Sequence, residues 1–71
     1  MNETTKLILS RLPSRPILSP REISDAMGLA TTSTVIMACR RGEIAATTTG
    51  GRYLIAHEAA ERWIKSQEGR V

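Results

Sequence analysis

Arg40, Arg41 and Arg52 hold the most specific binding chemistry in this chain. A guanidinium aims two parallel N–H donors at a phosphate or at the O6/N7 edge of guanine, which an ammonium cannot do. Arg40 and Arg41 end the stretch TTSTVIMACRR (31–41), and Arg52 follows Gly50-Gly51. Upstream of the arginine pair, Thr32 and Ser33 offer hydroxyls, and Ile36 and Met37 offer apolar bulk. Hydroxyls near a helix start bond phosphates or base edges, helped by the partial positive charge there. Ile36 and Met37 suit thymine methyl groups; equally, they suit a core or a protein-contact surface. Arg41 fits either a phosphate or a solvated helix end. Arg52 beside Gly51 fits a narrow, electronegative minor groove, or an exposed strand charge.

Other chemistries find little footing. His57 has no Cys or His partner at ligand spacing, so no metal is expected. Cys39 reads as a small apolar filler. No acid–His–nucleophile arrangement is readable, and no GK[ST] follows Gly50-Gly51. Neither catalysis nor a cofactor is expected. The charge balance is 10 Lys+Arg against 7 Asp+Glu, a net +3, and most of the basic residues are arginine. That favours polyanion partners or serves ordinary surface solubility. A single cysteine excludes an internal disulfide and fits a reducing compartment. No apolar run of ~18 residues is present, and the start MNETTKLILSRL makes a poor signal peptide. A cytoplasmic protein is expected, with room for one domain in 71 residues.

The elements that must position these groups follow from pattern. Residues 3–11 predict a helix with Leu7, Ile8, Leu9 and the following Leu12 as its apolar surface. Pro13 ends it, and 13–16 reads as a linker. The apolar cluster either docks on the domain, the expected outcome, or mediates self-association. Ile17-Leu18 can form a short strand. Ser19-Pro20-Arg21-Glu22 is a capping box with proline at the first helical position, which predicts a helix over 20–27. Ile23, Ala26 and Met27 share its buried face, and Gly28 supplies a left-handed stop. Leu29 and Ala30 turn the chain, and Thr31 is expected to cap a second helix. On that helix Val35, Ala38 and Cys39 face inward; Thr32, Ser33, Ile36, Met37 and Arg40 face outward; Gly42 closes it. Ile44–Thr48 and Arg52–Ile55 predict a hairpin about Gly50-Gly51, with Tyr53 and Ile55 on one face and Arg52 and Leu54 on the other. A last helix from about His57 to Gln67 buries Ala59, Ala60, Trp63 and Ile64. It carries Glu58–Arg62 and Glu61–Lys65 at i, i+4. The divisions are an arm or extra helix over 1–16, a domain over 17–67 and a tail over 68–71.

With LSPREISDAMGL, STV, RRGEI, GGRYLI and HEAAERWI in this order, the stretch from Leu18 to Ile64 resembles the excisionase-type, MerR-like winged helix-turn-helix domains. The resemblance implies an α+β, mainly α fold: a small winged helix-turn-helix with a two-stranded wing and a C-terminal helix. It implies double-stranded DNA as partner, with the second helix in the major groove and the wing at the adjacent minor groove. Thr32, Ser33, Ile36, Met37, Arg40, Arg41, Gly51 and Arg52 are then the DNA-contacting residues. Small stand-alone members are phage and mobile-element excisionases, which bend DNA and set the direction of site-specific recombination; others are transcription regulators. A recombinase and further copies of the chain are implied partners, in a bacterial or phage-encoded, nucleoid-associated protein. The turn between the two helices is one residue longer than the family pattern, and Ile36 and Met37 stand where polar or basic groups are common. A protein-interaction module built on Ile36, Met37 and the 7–12 cluster is the reading from another class.

Overall fold

The computed structural model describes residues 1–68; the part of the expected tail from residue 69 on lies outside the described residues. The chain runs α1 (Glu3–Arg11), β1 (Ile17–Leu18), α2 (Pro20–Met27), α3 (Ser33–Arg40), β2 (Ala46–Thr49), β3 (Arg52–Ala56) and α4 (His57–Ser66). This is a mainly α, α+β fold: four helices on a small antiparallel sheet ordered β1-β3-β2.

Local chemistry accounts for the boundaries. At α2 the Ser19 amide donates to Glu22 Oε1 (2.9 Å) and the Glu22 amide donates to Ser19 Oγ (3.3 Å). Two of the helix-start amides are thereby satisfied. The far end of α2 closes at Gly28, whose φ of 73° is readily reached only without a Cβ. There Gly28 N–H donates to the Asp25 carbonyl and Leu29 N–H to the Ser24 carbonyl, the paired bonds of a Schellman stop. The same pair recurs after α3: Gly42 N–H donates to Cys39 and Glu43 N–H to Ala38. Both helices of the turn therefore end abruptly, which fixes the path of the chain into and out of α3.

α2 also carries two serines with opposite expectations. Ser19→Ala removes the cap and is expected to cost about 1 kcal/mol. Ser24 is buried, and its hydroxyl has no hydrogen-bond partner among the described residues. Ser24→Ala is therefore expected to leave stability unchanged or raise it by up to about 1 kcal/mol, through better helix propensity and one fewer unpaired buried oxygen. Urea unfolding of the two variants should give midpoints shifted in opposite senses or, for Ser24→Ala, not at all.

The core gathers residues of β1, α2, α3, β3 and α4, joined by Leu12 and Ile44 from the connections: Leu12, Leu18, Ile23, Ala26, Val35, Ala38, Ile44, Ile55, Ala59, Ala60, Trp63 and Ile64; β2 is exposed throughout. α1 packs against α2 and α4, with Leu12 buried and Ile8 and Leu9 partly so. Ile8, Leu9 and Leu12 of the apolar cluster thus dock on the domain, while Leu7 stays exposed.

Four local expectations are corrected. The N-cap of α3 is Thr32, with a near-helical backbone and no side-chain capping bond; Thr31 Oγ1 instead accepts from the Ser33 amide (3.3 Å). The strand expected over Ile44–Thr48 is Ala46–Thr49, because Ile44 is drawn into the core and its amide donates to the Ala38 carbonyl (3.3 Å). The wing hairpin gains β1 as a third strand, Ile17 opposite Ala56 and Leu18 opposite Ile55. The His57 amide locks that edge by donating to the Pro16 carbonyl (2.9 Å). On α4, neither Glu58–Arg62 nor Glu61–Lys65 is among the ion pairs of the described residues; Glu61 lies 3.4 Å from His57 instead. Exposed pairs at this spacing are worth only tenths of a kcal/mol, too little to dictate one rotamer.

Candidate nucleic-acid interface

Two requirements set the outward face of α3. Val35 and Ala38 must be buried, at 0% and 3% exposure, so the opposite side of the helix is delivered to solvent. Cys39, expected on the inward stripe, lies at its edge and is half-buried. That burial pushes its thiol pKa up from the ordinary value.

The outward side carries two parallel rows. Thr32, Ile36 and Arg40 form one at i, i+4, i+8; Ser33, Met37 and Arg41 form the other. Each runs hydroxyl, apolar group, guanidinium in the same direction. The first row lines an open cleft of about 610 Å³. Across it stand Gly51, Arg52 and Leu54 of the wing; Ile17 and the start of α2, with Arg21, complete it. The second row lines a shallower groove of about 250 Å³ on the other flank, with Thr34. All eight sequence-predicted positions thus fall on two adjoining grooves either side of α3, or on the wing. The wing tip is held by Gly50 and Gly51, at φ 56° and 77°, the positive pair a two-residue hairpin turn requires. Their turn joins Thr49 to Arg52, directly opposite each other in the ladder.

Electrostatically the cleft is cationic. Arg21, Arg40 and Arg52 line it and all three are exposed. Among the described residues none of the three is in an ion pair. The one carboxylate on the cleft wall, Glu22, is already engaged by the Ser19 amide and by the Arg15 guanidinium. Arg41 differs: it lies 3.8 Å from Glu43, a loose surface pair. Phosphate contact by Arg41 therefore competes with that carboxylate.

The sequence pattern missed Arg21, together with the apolar side chains Ile17 and Leu54 that join Ile36 in the cleft. For Arg21 a signal existed. A cation in the first turn of a helix opposes the helix dipole, so an arginine there serves a role outside the helix. Nothing in the order of residues pointed to Ile17, which reaches the cleft only because β1 pairs with β3. Among the described residues no three His, Cys, Asp or Glu side chains are grouped to hold a metal ion. No helix among them is long and apolar enough to cross a membrane. Compared with known proteins, the chain matches no family model, no curated protein and no solved structure.

Proposed function

We propose that this chain binds double-stranded DNA, with α3 in the major groove and the β2–β3 wing at the adjacent minor groove. In this reading it acts as an excisionase-type recombination directionality factor, without catalysis of its own, that binds and bends DNA at the attachment sites of a mobile element. The observation that carries the proposal is the cleft between α3 and the wing, rimmed by three guanidiniums that are in no ion pair among the described residues. A helix with its side chains is about 10–12 Å across and fits a major groove about 12 Å wide. A wing beside that helix reaches the next minor groove, and the phosphate strand separating the two grooves then runs through the cleft. Arg21 and Arg52 meet it there, as phosphate clamps that set register, while Arg40 on α3 reaches either that strand or a guanine edge.

A single domain of this size buries only about 600–1,000 Å² of its own surface on DNA. Tight, bent complexes therefore call for several copies on adjacent sites, and a site-specific recombinase is the further partner. The proposed setting is the cytoplasm of a bacterial cell, on nucleoid or phage DNA. A small MerR-like transcription regulator uses the same surface. The reading of another class, a protein-interaction module, draws on the exposed Ile17 and Leu54 beside Ile36.

Fluorescence anisotropy with two duplexes, one from the flanks of the gene's own locus and one scrambled, at several salt concentrations, tests the proposal. Tighter, stepwise binding to the native duplex is expected, with log K falling by about 0.9 per neutralised phosphate per decade of salt. Absence of binding at low salt would hand the surface to a protein partner. Equal, salt-labile binding to both duplexes would leave only a basic patch.

A further inference from the structure

We infer that α3 selects its DNA chiefly through thymine methyl groups, one on each strand at neighbouring base pairs, with a guanine about two base pairs away. The inference rests on the DNA-binding reading above. Between Thr31 and Arg41 there is no Asn or Gln to grip adenine and no Asp or Glu to accept from cytosine. The base-reading groups left on the outward face are guanidinium, hydroxyl and apolar side chains. A guanidinium reads guanine, a hydroxyl bonds to almost any base edge, and an apolar group reads the C5 methyl of thymine. Discrimination at A·T pairs therefore falls to Ile36 and Met37.

The structure places these two in adjoining grooves, about 100° apart around α3. Ile36 is half-buried against the cleft, and Met37 stands in the second groove at 40% exposure. With α3 in a major groove, side chains this far apart around the helix lean toward different strands, so each apolar group meets the methyl of a different strand. Ile36 and Met37 are adjacent in sequence and differ in height along the axis by about 1.5 Å. That is less than the base-pair rise of about 3.4 Å, so the two thymines lie on neighbouring pairs. Arg40 is four residues beyond Ile36 in the same row, about 6 Å, which is close to two base-pair steps. Arg40 shares the row of Ile36 and is in no ion pair among the described residues, whereas Arg41 lies 3.8 Å from Glu43, so Arg40 is the guanine reader.

The test selects duplexes from a random pool with the full chain, then copies the enriched sequences with dUTP in place of dTTP. Uracil pairs as thymine does and leaves the charge and the minor-groove edge unchanged, but lacks the major-groove methyl. Each lost methyl contact is expected to weaken binding about fourfold, and both together about fifteenfold. Met37→Ala, at an exposed position, should lose the response to uracil at one of the two thymines and keep it at the other. Equal affinity for the thymine and uracil copies, with the salt slope retained, would overturn this inference alone. Enriched sites lacking the thymine pair would do the same. No salt-sensitive binding to any duplex would sink the parent reading and this inference with it.

Discussion

Trp63→Ala is expected to lower stability by about 3–5 kcal/mol, about a third or more of the roughly 4–11 kcal/mol that a domain of this size commands. Trp63 is 5% exposed and lies on the α4 face that also buries Ala59, Ala60 and Ile64. Two of its three buried neighbours on that face are alanines, which cannot fill the volume an indole leaves. The surrounding elements are short, α2 and α3 having eight residues each, and such helices owe their stability to packing rather than to propensity. The loss should therefore be global. A thermal melt followed by circular dichroism should fall by tens of degrees, at about 4–8 °C per kcal/mol for chains of this length. Trp63→Phe separates the ring from its N–H. The indole nitrogen is buried and has no hydrogen-bond partner among the described residues, so phenylalanine keeps the aromatic filler and removes an orphaned donor. Its cost is expected to stay below about 1.5 kcal/mol. An alanine variant that melts within a few degrees of the parent would show that Trp63 does not anchor the core.

Where the sequence was legible, short-range chemistry was the reason. The capping box at Ser19–Glu22, the glycine stops at Gly28 and Gly42 and the paired glycines of the hairpin each fix a boundary within four or five residues. Each appears where the pattern places it. The buried stripes of α2 and α4 follow from 3.6-residue periodicity alone. What did not show in the sequence is long-range. The pairing of Ile17-Leu18 with β3 joins residues nearly forty apart, and no periodicity encodes it. The N-cap moved from Thr31 to Thr32, where no side-chain bond specifies the start, and the packing of Val35 and Ala38 decides the phase. The same holds for the candidate site. Its α3 half, Thr32, Ser33, Ile36, Met37 and Arg40, was readable as the face opposite a buried stripe. Arg21 and Leu54 joined the cleft only through tertiary placement. Arg41 was readable as a helix-end cation, but its neighbour Glu43 depended on the tight turn at Gly42 that brings the two side chains within 3.8 Å.

The double variant Arg40→Ala/Arg52→Ala is expected to weaken DNA binding on the order of 50-fold at ~0.1 M salt and to lower the salt slope by about 2, if each guanidinium meets one phosphate. Both side chains are exposed, and neither is in an ion pair among the described residues, so the fold should tolerate the change. The largest loss is a favourable charge at the α3 C-terminus, a few tenths of a kcal/mol. The decisive control removes equal charge elsewhere. Arg62 and Lys65 are exposed on α4, outside the cleft, and Arg62→Ala/Lys65→Ala takes the net charge from +3 to +1 just as the cleft variant does. Binding driven by overall charge weakens equally in both; binding through the cleft weakens in the first alone. The single variants then divide the contact by kind. Arg52→Ala at the wing should lower affinity uniformly across sequences, as a phosphate contact does. Arg40→Ala should also relax the preference for guanine two steps from the thymine pair, by about 1–3 kcal/mol of discrimination. An Arg40→Ala variant that kept its full sequence preference would confine Arg40 to the backbone and leave α3 with methyl contacts as its sole means of telling one base pair from another.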